Sequence, residues 1–411
     1  MWKAGNENNE EQENRFAISE EDGFCYKPAY NDVETNMRAV KLLEAVDSVA
    51  KTTNARLCKL LLKDFSLLSH CRALKQYLML GQGDTIQCLM DLLKKYLPKP
   101  ASQIYRHHLN QQLETAVRAS NAQYEAEGIL ERLDVCIMEA SPGDSGWDVF
   151  TLNYHLTPPL NSVVTSSSME KYLEIFTFLW KLKRVEYSLA ETWKQHMIAE
   201  HSVRRLKTLR AILQKAHLVR NEMIHFASNL HNYMMFEVLE TSWEQLVSNI
   251  EGADDLDEIV KAHSDYLESI TQKSLLGVHK NGASQGLLKE MLYSLFDIII
   301  KFCSVQERLY TKILEHVHKL GKMQRKIQER TEAGEWGIDE TMDEVEKEEE
   351  LKKEQTVIFS EFNGTISTNH NEFQELLVSF IQELEKNTDL ESLRFLRFRL
   401  DFNHYFLKNK S

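Results

Sequence analysis

The sequence predicts an all-α protein, an elongated stack of helical bundles carrying one small β-hairpin or sheet element near residues 133–165. Three observations predict it. All six prolines lie at or before Pro159, so the last 252 residues contain none. Apolar residues in that stretch recur at three- and four-residue steps, the period of an amphipathic helix. Strict alternation, the period of a strand, is confined to two short runs on either side of a turn-rich loop.

Residues 1–22 carry seven acids against two bases, and residues 1–55 read as an acidic, poorly ordered N-terminal segment. Gly81-Gln-Gly-Asp84 lacks the spacing of a phosphate-binding loop and lies between helical stretches, so it reads as a helix–helix turn. Leu133-Asp-Val-Cys-Ile-Met-Glu-Ala140 alternates, Ser141-Pro-Gly-Asp-Ser-Gly146 supplies turn residues, and Trp147-Asp-Val-Phe-Thr-Leu-Asn-Tyr154 alternates again. Pro158 and Pro159 close that element.

A long helix follows. Ser167 and Glu170 stand at capping-box spacing, and Tyr172, Phe176, Leu179, Leu182, Val185, Leu189, Trp193 and Met197 form one stripe. From Val203 to Glu251 there is neither Gly nor Pro. That run predicts a second helix, roughly 70 Å long at 1.5 Å per residue if unbroken. The carboxylates of Asp254 and Asp255 suit the start of a third helix reaching about Leu276, and Gly277, Gly282 and Gly286 mark a loop. Further helices are predicted over 287–330, 357–386 and 389–402. Residues 331–356, with eleven acids and three bases, read as a mobile charge-rich insertion. The alternative reading is a charged helix continuing through 344–355.

Composition excludes several classes of function. Hydrophobic residues at 43% and charged residues at 27% are ordinary for a soluble globular chain. The net charge of −13 is carried by residues 1–22 and 331–356, which leaves the body near neutral, with no clustered basic excess for nucleic acid. Ile298-Ile-Ile300 is cut off at once by Lys301, so no membrane span is expected. Met1–Asp22 lacks the apolar core of a signal peptide. The six cysteines show no CxxC spacing and read as free thiols of a reducing compartment. His196, His201, His217, His225, His231 and His263 offer no H-E-x-x-H pair, so no metal site is expected. No nucleophile motif appears, and neither a cofactor nor a catalytic role is predicted.

Several strings, in order, carry a resemblance. They are Phe65-Ser-Leu-Leu-Ser-His70, Leu78-Met-Leu-Gly-Gln-Gly-Asp84 and Leu89-Met-Asp-Leu-Leu93, then Leu113-Glu-Thr-Ala-Val-Arg-Ala119 and Ser141-Pro-Gly-Asp-Ser-Gly-Trp-Asp148. After them come Phe176-Thr-Phe-Leu-Trp-Lys181 with Lys183-Arg-Val-Glu-Tyr187, and finally Leu393-Arg-Phe-Leu-Arg-Phe-Arg-Leu-Asp-Phe-Asn403. Together they resemble the γ-tubulin complex component family, in its third-member type, over about 56–330 and 357–406. The resemblance implies a non-enzymatic subunit that binds γ-tubulin and other complex components and takes part in microtubule nucleation. It also implies a place in the cytoplasm and cytoskeleton at microtubule-organising centres, the centrosome or spindle pole. On this reading residues 56–97 are the end of the family's N-terminal helical half, residues 98–411 form the γ-tubulin-binding C-terminal domain, and most of the half that makes lateral contacts is missing. The rival reading is a helical tethering scaffold of the spectrin or coiled-coil type. It would need sustained heptads, which the mixed spacing does not supply.

Two groups of residues are candidates for the partner contact. Trp147, Phe150, Leu152 and Tyr154 sit in the turn-rich β-element, where aromatic side chains either anchor a partner or fill the domain's own core. Arg394, Arg397 and Arg399, interleaved with Phe395 and Phe398, either meet an acidic partner such as a tubulin or cap the bundle through internal carboxylates.

Overall fold

A computed structural model of the chain describes residues 33–204, 206–276, 283–333, 338–386 and 391–408. The chain divides into two compact units, Met1–Arg56 and Leu57–Ser411. In the first unit the described residues are helical, belonging to α1 (Val33–Lys59). Its Met, Arg, Ala, Lys, Leu and Glu residues are strong helix formers. Residues 33–55 of the expected N-terminal segment are thus helical, while residues 1–32 lie outside the described residues.

In the second unit α1 ends in a wide turn, Leu60–Asp64, closed by the Phe65 N–H on the Leu60 carbonyl at 3.1 Å. Next comes α2 (Leu67–Ala73), which runs into a second wide turn, Leu74–Leu78, closed by Met79 on Leu74. Both closures span five residues, the hydrogen-bond step of a π-helical turn. Helices α3 (Gly83–Leu93) and α4 (Arg106–Arg118) pack on each other, and Gly81-Gln-Gly-Asp84 is the expected link into α3. A short α5 (Glu127–Leu130) leads into β1 (Leu133–Ile137).

The β-element is one antiparallel pair. β1 joins β2 (Phe150–Tyr154) in a register that sets Leu133 against Tyr154 and Ile137 against Phe150. Trp147 was expected in the second strand. It lies instead in a short helix, α6 (Gly146–Val149), because Ser145 and Asp148 form a capping box there.

The centre of the fold is α7 (Ser166–Ser202), which packs against β2 and three later helices. Its cap is Thr165, whose hydroxyl accepts the Ser168 N–H at 3.3 Å, so the expected Ser167–Glu170 box is displaced by two residues. The second long helix begins at Lys207 and changes its winding part-way. After α8 (Lys207–Asn232) a wide turn, Tyr233–Glu240, leads into α9 (Thr241–Glu251), with no interruption of the helical path. α10 (Leu256–Lys273) follows from the predicted start, although it is Glu258 that bonds back to the Asp254 N–H, at 3.0 Å.

The last helices complete the bundle. α11 (Ala283–Ala333) runs beside α7, with Lys289 on Glu174 at one level and Gln306 on His196 at another. Gly286 therefore belongs to a helix and not to the loop expected there. α12 (Ile338–Lys386) returns antiparallel along α11, Lys301 pairing with Glu372 and Lys319 with Glu354. It also lies along α8, where Glu222 accepts from His370 and Gln374. Most of the acidic segment 331–356 is thus helix, in line with the alternative reading of a charged helix through 344–355 and not with the expected loop; residues 334–337 lie outside the described residues. Glutamate and lysine are good helix formers, and Glu354 is held by both Lys319 and His316 of the facing helix. α13 (Glu391–Leu400) crosses onto α8 and α12, and α14 (Tyr405–Lys408) ends the described chain.

One continuous hydrophobic core runs from Cys58 to Phe406. Trp180, Phe176, Phe178, Phe226, Phe302, Phe373 and Phe380 are fully buried in it, each contributing about 1.5–3 kcal/mol relative to exposure.

Candidate partner-binding surfaces

The aromatic residues predicted as anchors in the β-element face inward. Trp147 is 9% exposed and Phe150, Leu152 and Tyr154 are 2% or less. Phe150 lies 4.8 Å from the ring of Trp180, Trp147 lies 6.0 Å from it, and the Arg184 guanidinium sits 5.1 Å over Trp147. The Tyr154 hydroxyl is 2.7 Å from His70 Nδ1. Side chains so placed pack their own domain and cannot also serve as exposed anchors. The alternation that singled them out carries two faces, and the structure turns this one onto α7.

The C-terminal group divides. Arg397 pairs with Glu385 at 2.9 Å, and the Arg399 guanidinium stacks 4.6 Å over Phe395. Arg394 is exposed on α13 and is also engaged within the protein. Arg397 thus acts as an internal cap on the bundle. What the surface offers a partner is aromatic: Phe398, Phe402 and Tyr405 are each more than half exposed. Phe398 and Phe402 meet edge to face at 5.3 Å. The turn between α13 and α14 places Asn403 and His404 at positive φ, and the Asp401 carboxylate accepts the Phe406 N–H at 2.9 Å. This fixes the direction in which the last aromatics project. Sequence reasoning missed Phe402 and Tyr405, because they lie past the end of the helical stripe.

A second surface had no sequence signal. The wide turn Tyr233–Glu240 borders a cavity of about 610 Å³ whose lining includes Arg72, Lys75, Lys183, Met235, Phe236 and Trp243. Lys75 binds Glu240 and lies 5.1 Å over the Trp243 ring, while Phe236 is 62% exposed. The extra residue of the wide turn shifts the buried face after Met234 to Val238 and Leu239, and Phe236 stays on the open side.

The buried histidines are part of the packing. His196 donates from Nε2 to Gln306 Oε1 at 3.1 Å and accepts at Nδ1 from Arg220, also at 3.1 Å. Burial, with His217 and Arg220 alongside, pushes its pKa down to about 3. His263 lies 3.1 Å from the Tyr172 hydroxyl, and burial lowers its pKa to about 4. Among the described residues no three His, Cys, Asp or Glu side chains converge as a metal site, and no helix is long and apolar enough to cross a membrane.

Known proteins match this architecture along most of its length. The family described as "Gamma tubulin complex component C-terminal" matches residues 67–406. The gamma-tubulin complex component 3 homolog of Xenopus laevis is 40% identical over 361 residues, 88% of this chain and 39% of the relative. Human gamma-tubulin complex component 3 is 40% identical over 368 residues, again 88% of this chain and 39% of the relative. The spindle pole body component alp6 of Schizosaccharomyces pombe is 35% identical over 350 residues, 84% of this chain and 39% of the relative. The chain spans about two-fifths of the length of these relatives.

Proposed function

We propose a function from a plain premise: the chain belongs to the γ-tubulin complex component family. It acts as a γ-tubulin-binding subunit of the γ-tubulin complex and takes part in microtubule nucleation at microtubule-organising centres. The observation that carries this reading is the extent of the family match. Residues 67–406 include nearly the whole of the continuous core, so the family match coincides with the packed body of this chain.

The contact we assign is the C-terminal aromatic surface, Phe398, Phe402 and Tyr405, with the α13 arginines at its edge. Exposed aromatic side chains beside arginine are the residue types that dominate protein interfaces. A standard interface buries about 1,600 Å² in total, which the helices around α13 and the Tyr233–Glu240 turn can supply. The role is structural, and nothing in the site suggests catalysis.

Binding of purified γ-tubulin tests the reading directly. In sedimentation the 411-residue chain and γ-tubulin are expected to migrate as a one-to-one heterodimer. Two separate species at micromolar concentration would defeat the proposal. Ring-sized particles from these two proteins alone would show that the chain carries a lateral surface as well.

A further inference from the structure

On the far side of the α3–α4 link, five side chains form an unbroken run of ring contacts. Lys99 Nζ lies 5.5 Å over the ring of Tyr96, and Tyr96 stacks on His108 at 6.4 Å. His108 lies 4.2 Å from His107, and Tyr105 meets both, at 5.8 Å from His107 and 6.1 Å from His108. Tyr105, His107, His108, Lys95 and Lys99 are exposed, and Tyr96 is half-buried.

The charge here runs against the protein as a whole. In a chain of net charge −13, neither Lys95 nor Lys99 has an ion pair among the described residues. Carboxylates near this segment are already engaged: Asp134 bonds Arg106 and Asn110, Glu191 pairs with Lys94 and Lys194, Asp91 accepts from the Tyr187 hydroxyl, and Asp144 accepts the Ser141 N–H. The first turn of α4 adds Arg106 and His107 N–H groups that no helical carbonyl can accept, with the positive end of the helix dipole behind them. Lysines, donor N–H groups and exposed rings at one place make a surface that attracts carboxylates and packs the aliphatic stems between them.

We propose that this ladder, Tyr96, His108, Tyr105 and His107 with Lys95 and Lys99, is a docking surface for an extended acidic peptide segment of a partner protein. A peptide fits better than a nucleic acid. Two unpaired lysines on an otherwise neutral body fall well short of the basic stripe that phosphate backbones require. The surface is separate from the C-terminal aromatic surface, and the proposal stands independently of γ-tubulin binding.

Fluorescence anisotropy with a fluorescein-labelled oligoglutamate peptide tests it, with an oligoglutamine peptide and oligothymidylate as the comparison probes. The full chain is expected to bind oligoglutamate at low salt and to leave oligoglutamine unbound. Replacing both lysines (K95E with K99E) should weaken oligoglutamate binding at least about tenfold, and Tyr105→Ala should weaken it several-fold, with thermal melting of each variant matching the parent. Equal binding by the K95E/K99E variant, or none by the parent, overturns the proposal. Tighter binding of oligothymidylate than of oligoglutamate overturns it in favour of a nucleic-acid surface.

Discussion

His196 and His217 stack with ring centroids 4.9 Å apart and planes within 4° of parallel, at the level where Arg220 reaches across to His196. Both rings are held neutral by burial beside a permanent cation. The sign of the resulting pH dependence follows. The folded pKa of His196 is about 3 against an ordinary value of 6.5, so between those values only the unfolded chain takes up the proton. Its contribution is present in full above pH 6.5 and is lost as pH falls toward 3. His263, lowered to about 4, acts in the same direction. The urea midpoint is expected to be clearly lower at pH 5.5 than at pH 7.5, at up to about 1.4 kcal/mol per pH unit for each such histidine. His196→Gln should flatten the slope. Equal midpoints at the two pH values would show that these rings are not held neutral.

Gly146 ties the hairpin to the link before α4. Its N–H bonds the Lys99 carbonyl at 3.0 Å, and an added Cβ would meet Ile104 Cδ1 and lie 2.9 Å from the Leu97 carbonyl oxygen. Backbone cannot move aside as a side chain tip can. Gly146→Ala is expected to destabilise by about 1–3 kcal/mol, read as a lower melting temperature, whereas Gly128→Ala, with nothing within 4 Å, serves as the neutral comparison. A Gly146→Ala protein as stable as its parent would mean that the link is looser than drawn.

Core and surface aromatics should separate cleanly. Phe150→Ala removes a ring packed on Trp180 and Phe176 and is expected to cost about 3–5 kcal/mol. Any effect of it on partner binding would follow the loss of folded protein. Combined replacement of Phe398, Phe402 and Tyr405 by alanine should leave melting nearly unchanged and weaken γ-tubulin capture by tenfold or more. Undiminished capture by the triple variant would move the contact elsewhere, with the groove beside Phe236 the next surface to mutate.

Arg397 offers a charge test of the same region. Because it pairs with Glu385, Arg397→Glu sets two acids against each other on α12 and α13. A modest loss of stability is expected, on the order of 1 kcal/mol for a partly exposed pair, and Glu385→Arg in the same chain should restore it. Failure of the double exchange to recover any melting temperature would mean that Arg397 contributes by packing alone.

The helical class and the place of the β-element were written in local chemistry. Proline ends at Pro159, the stripe from Tyr172 to Leu189 repeats at helical period, and alternation is confined to Leu133–Ala140 and Trp147–Tyr154. These are properties of near neighbours, which a linear reading captures. Between the two readings of the acidic segment, loop or charged helix, local chemistry did not choose. The helix that it forms is tied at Glu354 to Lys319 and His316, on a helix more than thirty residues earlier in the chain. The same limit governs the candidate surfaces. Alternation identifies the set containing Phe150, Leu152 and Tyr154 but not which face meets α7, since both faces of a two-stranded ribbon are open until something packs on one of them. Periodicity likewise loses register after Met234, where Val238, Leu239 and Ser242 are the buried residues, because the added residue of a wide turn changes the angle at which every later side chain leaves the helix. Sequence alone therefore determined the helical class, the place of the hairpin and the family resemblance. Only tertiary packing decided which aromatic side chains were consumed by the core and which were left for a partner, because burial is a property of what lies opposite.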